Sequence, residues 1–503
     1  MPGRFACSLD LVNQCHCAIV QRMAESTFFW HDYETFGITP RRDRPVQFAG
    51  LRTDAELNPI GQPVMWHCQP APDFLPDPES VLLTGILPQH AMQHGLPEHQ
   101  FAAHIEAELA RPGTIGVGYN SIRFDDEVTR FLFWRNLIEP YGREWQNGCS
   151  RWDLLDVLRA CWSLRPEGIQ WPTHTTGDRM GQPSFKLEHL TAANGLRHAA
   201  AHDALSDVQA TLALARLVKS KQPKLWDFCL KLRQKSTVQA EMGFARPFLH
   251  LSGMYPAERG CLAMVWPLAA HPKNKNEVIV WDLAHDPAEL AQLDAATARL
   301  RLYTRAADLP EGVLRLPVKT IHINKSPVVI GNLKTLTPAL AQRWGLDVEQ
   351  ALRHAEHAAS YGRTLDALWA EVFSRTEPSS APDVDEDLYG GFVGDSDRRL
   401  LQRLRELAPE ALAARRPAFE DGRLDELLFR YRARNFAHTL SPAEQARWLQ
   451  HCVKRLHGGE GGARTLAAFF ERIDELAETA DERGQAVLEA LYDYAEGIAP
   501  EAP

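Results

Sequence analysis

The 503-residue chain has no apolar run approaching 18 residues, which excludes a membrane-spanning helix of ordinary length. Its cysteines are few, nine in all, and odd in number. They are scattered, which argues against a disulfide framework and for reduced thiols in a cytoplasm. Cys15-His16-Cys17 has a metal-like look, but no second ligand pair follows at zinc spacing, so zinc is not expected there. Excess positive charge is also missing. A net charge of −10 argues against indiscriminate coating of nucleic acid. It leaves room for a local basic groove, which phosphate binding needs. Basic residues do gather at 216–235, which reads equally well as a solvated helix face. A clean signal peptide is absent too: Asp10 and Asn13 interrupt the apolar part of the first 22 residues, and no small-residue cleavage site follows. Residues 1–25 are expected to be a disordered tail or a start-site artefact, with Met23 as an alternative start.

What is present is an ordinary globular composition, 45% hydrophobic and 24% charged, at a length that calls for two to four domains. Strand and helix signals alternate over 26–216. FFWHDYETFG and VQFAGLRTD read as the first two strands, TIGVGYN as a buried strand, and 101–111, DEVTRFLFWRNLI and SFKLEHLTAANG as helices. HDALSDVQATLALARLVKSK reads as a long helix. This is the pattern of a sheet covered by helices. Over 223–376 the runs FLHLSGM, CLAMVWPLA, EVIVWDL, VKTIHI and SPVVIG, divided by turn residues, predict a small β-barrel followed by helices from 337. The acidic, Pro/Ser-rich 377–391 reads as a linker, and 380–500 as an all-helical domain.

One stretch of the first strand carries chemistry. In Phe28–Gly37, FFWHDYETFG, Asp32 and Glu34 lie two residues apart, so on a strand they share a face. Two like charges so placed raise each other's pKa, and a hard divalent cation is the cheapest compensation. Alone, D-x-E fits a solvated edge strand as well. Asp125, in GYNSIRFDD, is alone an ordinary first-turn helix acid. His202 and Asp207, in HDALSD, are alone a helix-start residue and a first-turn acid. The order D-x-E, N-x-x-x-F-D, H-x-x-x-x-D within one α/β region makes the combination more telling than its parts.

Asp32, Glu34, Asp125, His202 and Asp207 match the pattern of the DEDDh exonucleases, four acids and one histidine. HDYETFG, DRPVQFAG, GYNSIRFDDEVTR, SRWDLLDVLRACW, LRPEGIQWP, AHDALSDV, HLSGM, HINKSP and FRYRARNF extend the likeness, and over roughly 28–500 the chain resembles the bacterial exonuclease I family. The resemblance implies a ribonuclease H-like α/β exonuclease domain, an SH3-like β-barrel domain and an all-α C-terminal domain in a C-shaped arrangement around single-stranded DNA. It implies a monomer that degrades single-stranded DNA 3′→5′ to 5′-mononucleotides, in DNA repair and recombination. The alternatives carried are a DEDDh RNA-trimming or proofreading exonuclease and a catalytically silent single-stranded-DNA adaptor.

Phosphodiester hydrolysis needs an activated water and a stabilised leaving oxygen, and two divalent ions about 4 Å apart supply both. Four carboxylates can hold such a pair. The resemblance implies that Asp32 bridges two Mg²⁺ ions (Mn²⁺ substituting), that Glu34 and Asp207 complete one site, and that Asp125 supports the other. His202 is then the general base, work that suits a near-neutral imidazole. Arg130, Tyr141, Trp145 and Arg159 match positions that contact or steer the strand, with Glu34 also at the substrate, while Trp134 reads as core. Lys186 stands where the family usually has an arginine, keeping the charge and losing the bidentate fork. The Thr84-Gly85-Ile86 loop resembles the one that packs on the terminal nucleotide. Arg165, Phe228 and Arg246 match a pocket for the acidic C-terminal tail of single-stranded-DNA-binding protein. Phe228 stands where a tyrosine is usual.

Overall fold

The computed structural model describes residues 26–199, 201–374 and 382–500. The expectations for residues 1–25, Cys15-His16-Cys17 included, lie outside the described residues. The six cysteines among the described residues are all free and buried.

The first domain is built on a five-stranded sheet of β1 (Thr27–Thr35), β2 (Pro45–Thr53), β3 (Val64–His67), β4 (Thr114–Gly118) and β5 (Ser150–Asp153), in the order β3-β2-β1-β4-β5. β2 runs antiparallel to both β1 and β3, and β4 and β5 run parallel to β1. β1 is central and covered on both faces, which explains its density of aromatics. Its alternation sorts them. Phe28 and Trp30 pack with Trp152 and Trp226 on one side, and Phe29 and Tyr33 with Phe48, Phe101 and Ile105 on the other. The first face also carries the helix Ala204–Lys221, which lies across β1 and β2 and buries Val208, Leu212 and Ala215.

β1 outruns its parallel neighbour. Its last partner on β4 is Val117, opposite Trp30, whereas β2 still supports Asp32 through Ala49 and Glu34 through Gln47. Asp32 and Glu34 thus stand at a carboxyl-end crevice, where open α/β sheets place their sites. The sequence did not announce β3 or β5. β3 is four half-exposed residues. β5 runs straight into a helix, because Asp153 both ends the strand and caps Leu154–Leu164 by accepting the Leu155 N–H.

The five β-runs of the second region form β6 (Phe248–Leu251), β7 (Leu262–Ala270), β8 (Glu277–Asp282), β9 (Val318–His322) and β10 (Val328–Ile330). They make an antiparallel sheet in the order β10-β6-β7-β8-β9, an SH3-like half-barrel. The helices Pro338–Arg343, Val348–Ser360 and Asp366–Val372 follow, and Ala355 and Trp369 enter a core continuous with that of the first sheet.

The last region is helical from Asp395–Arg405 to Glu482–Ile498. It docks on the first domain through an apolar seam, Phe36, Val46 and Leu75 against Phe469, Leu488 and Leu491. Beside the seam lies a buried ionic lattice. Arg434 reaches Asp73 at 2.7 Å and Asp385 at 2.5 Å, Arg44 reaches Asp385 at 3.2 Å, and Arg430 reaches Asp383 at 2.7 Å. The described part of the expected linker, 382–391, is therefore no loose tether. It forms the short turns Val384–Glu386 and Leu388–Gly390, and its acids answer the arginines of FRYRARNF.

Candidate active site

Three elements meet at the end of β1. The strand supplies Asp32 and Glu34. The loop after β4 delivers Asp125 at the start of the helix Asp125–Arg135, where Asp125 Oδ1 accepts the Tyr33 backbone N–H at 3.2 Å. That loop is tightly folded. A Cβ on Gly118 would lie 2.6 Å from the Ser121 Cβ and 2.9 Å from the His31 carbonyl oxygen. Asp153 fixes it further by accepting the N–H groups of Asn120 at 2.9 Å and Ile122 at 3.2 Å. The third element is the head of the helix Ala204–Lys221, capped by Asp203, whose side chain accepts the Ser206 N–H. Gln47 of β2 ties this helix head down by accepting the Ala204 N–H at 3.0 Å. His202 is held at φ 64°, a left-handed conformation that costs a non-glycine residue on the order of 1 kcal/mol and that gathers at functional sites.

The outcome is a concentrated negative site. Glu34, His202 and Asp207 each offer a ligand atom, and the three atoms lie within 4.8 Å of one another. The Asp32 carboxyl is held well above the usual range by burial, then by Asp125, Glu34, Asp207 and Asp203. Glu34 is pushed up to about 8 by burial, then by Asp207 and Asp203. Burial also raises Asp125 and Asp207, the latter against the pull of a hydrogen bond from His198. Crowded, buried carboxylates have the chemistry of a site for hard divalent ions.

Of the two adjacent acids in GYNSIRFDD, only Asp125 turns inward. Asp126 is paired with Arg143 at 2.6 Å and Arg151 at 2.8 Å, which hold it well below the usual range despite its burial. His31, buried on the same face, is depressed to about 4 by burial and by Arg143. Asp153, Asp203, Gln47 and His198 belong to the site's frame and escaped the sequence reading. Asp203 lay within HDALSD and His198 bonds Asp207 only 9 positions on, whereas Asp153 and Gln47 reach across 31 to 157 positions that no local pattern reveals.

The substrate candidates fall into two groups. Arg159 and Lys186 line one cleft of about 660 Å³ with Tyr119, Arg179 and Met254, between the first domain and the half-barrel. Arg159 pairs with Asp156 at 2.6 Å and stands over the Phe185 ring, while Lys186 is exposed beside Glu188. The second group is Arg130, Tyr141 and Trp145. Arg130 is buried and committed to Glu144 at 2.7 Å and Glu127 at 2.6 Å, with its guanidinium 5.3 Å from the Tyr141 ring centre. Trp145 is 66% exposed, whereas Trp134 is core. Gly85 ends the helix Pro78–Thr84 in the left-handed region, at φ 70°. Arg165 and Phe228 share a pocket of about 360 Å³ with Lys224 and Ile330. Arg246 is not in that lining and donates to the Ala240 carbonyl at 3.0 Å.

Known proteins share this architecture throughout. Three family models match in succession: an exonuclease model over residues 29–215, the exonuclease I SH3-like domain over 233–375, and the exonuclease I C-terminal domain over 382–498. The chain is 46% identical over 479 residues to exodeoxyribonuclease I of Escherichia coli K12, an alignment covering 94% of this chain and 98% of that one. The chain belongs to the exonuclease I family. Among solved structures, a moderately thermophilic exonuclease I from Methylocaldum szegediense superposes with a TM-score of 0.88 at 47% identity, over 94% of this chain and 99% of that one. A zinc-bound complex of E. coli exonuclease I with single-stranded DNA superposes with a TM-score of 0.88 at 44% identity, again over 94% and 99%. Among the described residues no helix is long and apolar enough to cross a membrane.

Proposed function

We propose that the chain is a 3′→5′ exodeoxyribonuclease that removes 5′-mononucleotides stepwise from single-stranded DNA in a divalent-cation-dependent hydrolysis. The observation that carries this reading is the convergence of Asp32, Glu34, Asp125, His202 and Asp207 at the free end of β1, within a chain homologous to exonuclease I along nearly its whole length. The donor set is all oxygen with one imidazole, which fits a pair of Mg²⁺ ions, with Mn²⁺ as a substitute. Asp32, Glu34 and Asp207 would hold them, with Asp125 in support. Cations bound there lower the pKa of water and neutralise charge on the leaving oxygen. The residues do the rest. His202 takes the proton of the attacking water. Asp153, Gln47 and the Tyr33 backbone keep the carboxylates where the scissile phosphate must arrive.

The strand approaches over the cleft between the first domain and the half-barrel, with Arg159 and Lys186 holding phosphates and Trp145 offering a stacking face. Arg130, fully engaged by acids, steers by fixing Tyr141 and the 141–148 turn. The apolar and cationic pocket of Arg165 and Phe228, with Arg246 nearby, suits the acidic C-terminal tail of single-stranded-DNA-binding protein, and the protein acts as a monomer in repair and recombination. The test is incubation of 5′-labelled single-stranded DNA, duplex DNA and RNA with Mg²⁺ or EDTA. Progressive shortening of single-stranded DNA with Mg²⁺ alone is expected. Preferential loss of RNA would reassign the substrate, and binding without shortening would make the protein an adaptor.

A further inference from the structure

Asp207 has two histidines around it, and they do different things. His202 shares the cation-ready cluster with Glu34 and Asp207. His198 approaches from outside that cluster. Its Nε2 lies 2.5 Å from Asp207 Oδ1, and its side chain is only 8% exposed. The other edge of the ring rests on the helix Leu187–Ala193, with Nδ1 3.5 Å from Thr191 Oγ1. Thr191 is fully buried, and its hydroxyl is committed to the Leu187 and Glu188 carbonyls at 2.9 and 3.1 Å. The Asp207 carboxylate can only accept, so Nε2 is the donor of that contact.

The consequence concerns rotation. A free aspartate carboxylate turns easily about its terminal torsion, whose profile is broad. His198 at Oδ1, together with a hydrogen bond from the His202 backbone, fixes the plane of the Asp207 carboxylate, the standard task of groups behind a ligand. The need is acute here, because the ligand atoms of Glu34 and Asp207 lie within 4.8 Å of one another, and like charges so close turn an unheld carboxylate away. Asp32 and Asp125 sit on or against a strand backbone, whereas Asp207 lies on a helix entered through the left-handed His202. Its carboxylate is held by a side chain from the loop that leads into that same helix.

We propose that His198 is a positioning residue that aims the Asp207 carboxylate for divalent-cation binding, a role that rests on the cation-dependent reading above. It touches neither the strand nor the water. The test compares the full-length protein with His198→Ala and His198→Gln, the glutamine amide placing an N–H near the position of Nε2. Three quantities are read: Mn²⁺ affinity by electron paramagnetic resonance without DNA, the Mg²⁺ concentration for half-maximal strand shortening, and the melting temperature in EDTA. The alanine variant should weaken Mn²⁺ binding by about 10–100-fold and raise the half-saturating Mg²⁺ in parallel. Its turnover at saturating Mg²⁺ should approach that of the parent, with melting in EDTA unchanged, and glutamine should restore most of the affinity. Mn²⁺ affinity within twofold of the parent in the alanine variant, or glutamine no better than alanine, would overturn the proposal. A parent protein that binds no Mn²⁺ and shortens no strand would instead bring down the functional reading itself.

Discussion

Glu34→Gln keeps the shape of the side chain and removes one charge from the cluster, so the protein without cations should gain stability as it loses activity. The size of the gain follows from the Glu34 carboxyl, which rises from an ordinary 4.5 to about 8 in the folded chain. The folded state therefore holds a proton that the unfolded chain has released. That favours folding fully below pH 4.5, and the advantage drains away as pH rises through 8. At 1.36 kcal/mol per pKa unit, the loss between pH 5 and pH 8 is about 3–4 kcal/mol, shared with the neighbours that cause it. In EDTA the parent should melt at clearly lower temperature at pH 8 than at pH 5. Glu34→Gln should flatten that slope and melt above the parent at pH 8. Mg²⁺ at about 100 times its Kd should return about 2.7 kcal/mol to the parent and much less to the variant. The assay is a thermal scan of both proteins at the two pH values, with EDTA or Mg²⁺. A variant less stable than the parent at pH 8 in EDTA, or a parent indifferent to pH, would refute the argument that crowded acids await a cation.

Asp207→Asn should abolish strand shortening while leaving single-stranded DNA binding within about threefold, by gel shift in EDTA; retained turnover would remove Asp207 from the site. Asp73→Ala should destabilise the protein by about 3–5 kcal/mol in denaturant titration, because it strips a partner from the buried Arg434 and Arg455. A loss below 1 kcal/mol would mean that the lattice does not hold the C-terminal helices in place. Trp145→Ala should weaken binding of single-stranded DNA by about 1–3 kcal/mol, the usual worth of one stacked base. Unchanged affinity would leave Trp145 outside the strand's path.

The five candidate site residues were legible in their joint order along the chain and in the likeness to exonuclease I, although each motif alone marks only the end of an element: a strand's exit for Asp32 and Glu34, and helix starts for Asp125, His202 and Asp207. The β-runs of the half-barrel were legible because glycine, proline and asparagine divide them. The fit of the parts was not. Asp125 and Asp126 are identical in sequence terms, and only the positions of Arg143 and Arg151 decide which one turns inward. Arg130 has the composition of a phosphate contact, yet Glu127 and Glu144 take up its guanidinium. The stretch read as a linker has acids and small residues, as linkers do, but Asp383 and Asp385 find arginines some 50 residues further along the chain (47 and 49 positions). His198 is four residues from His202 and looks like its spare, until the fold sets the Leu187–Ala193 helix behind it.

The central claim is that these carboxylates hold the cations that drive hydrolysis. Anomalous diffraction at the manganese edge, from crystals grown with Mn²⁺, tests it most directly. Two peaks among Asp32, Glu34, Asp125 and Asp207 are the predicted result. No peak there, or manganese bound only elsewhere on the molecule, would contradict the account.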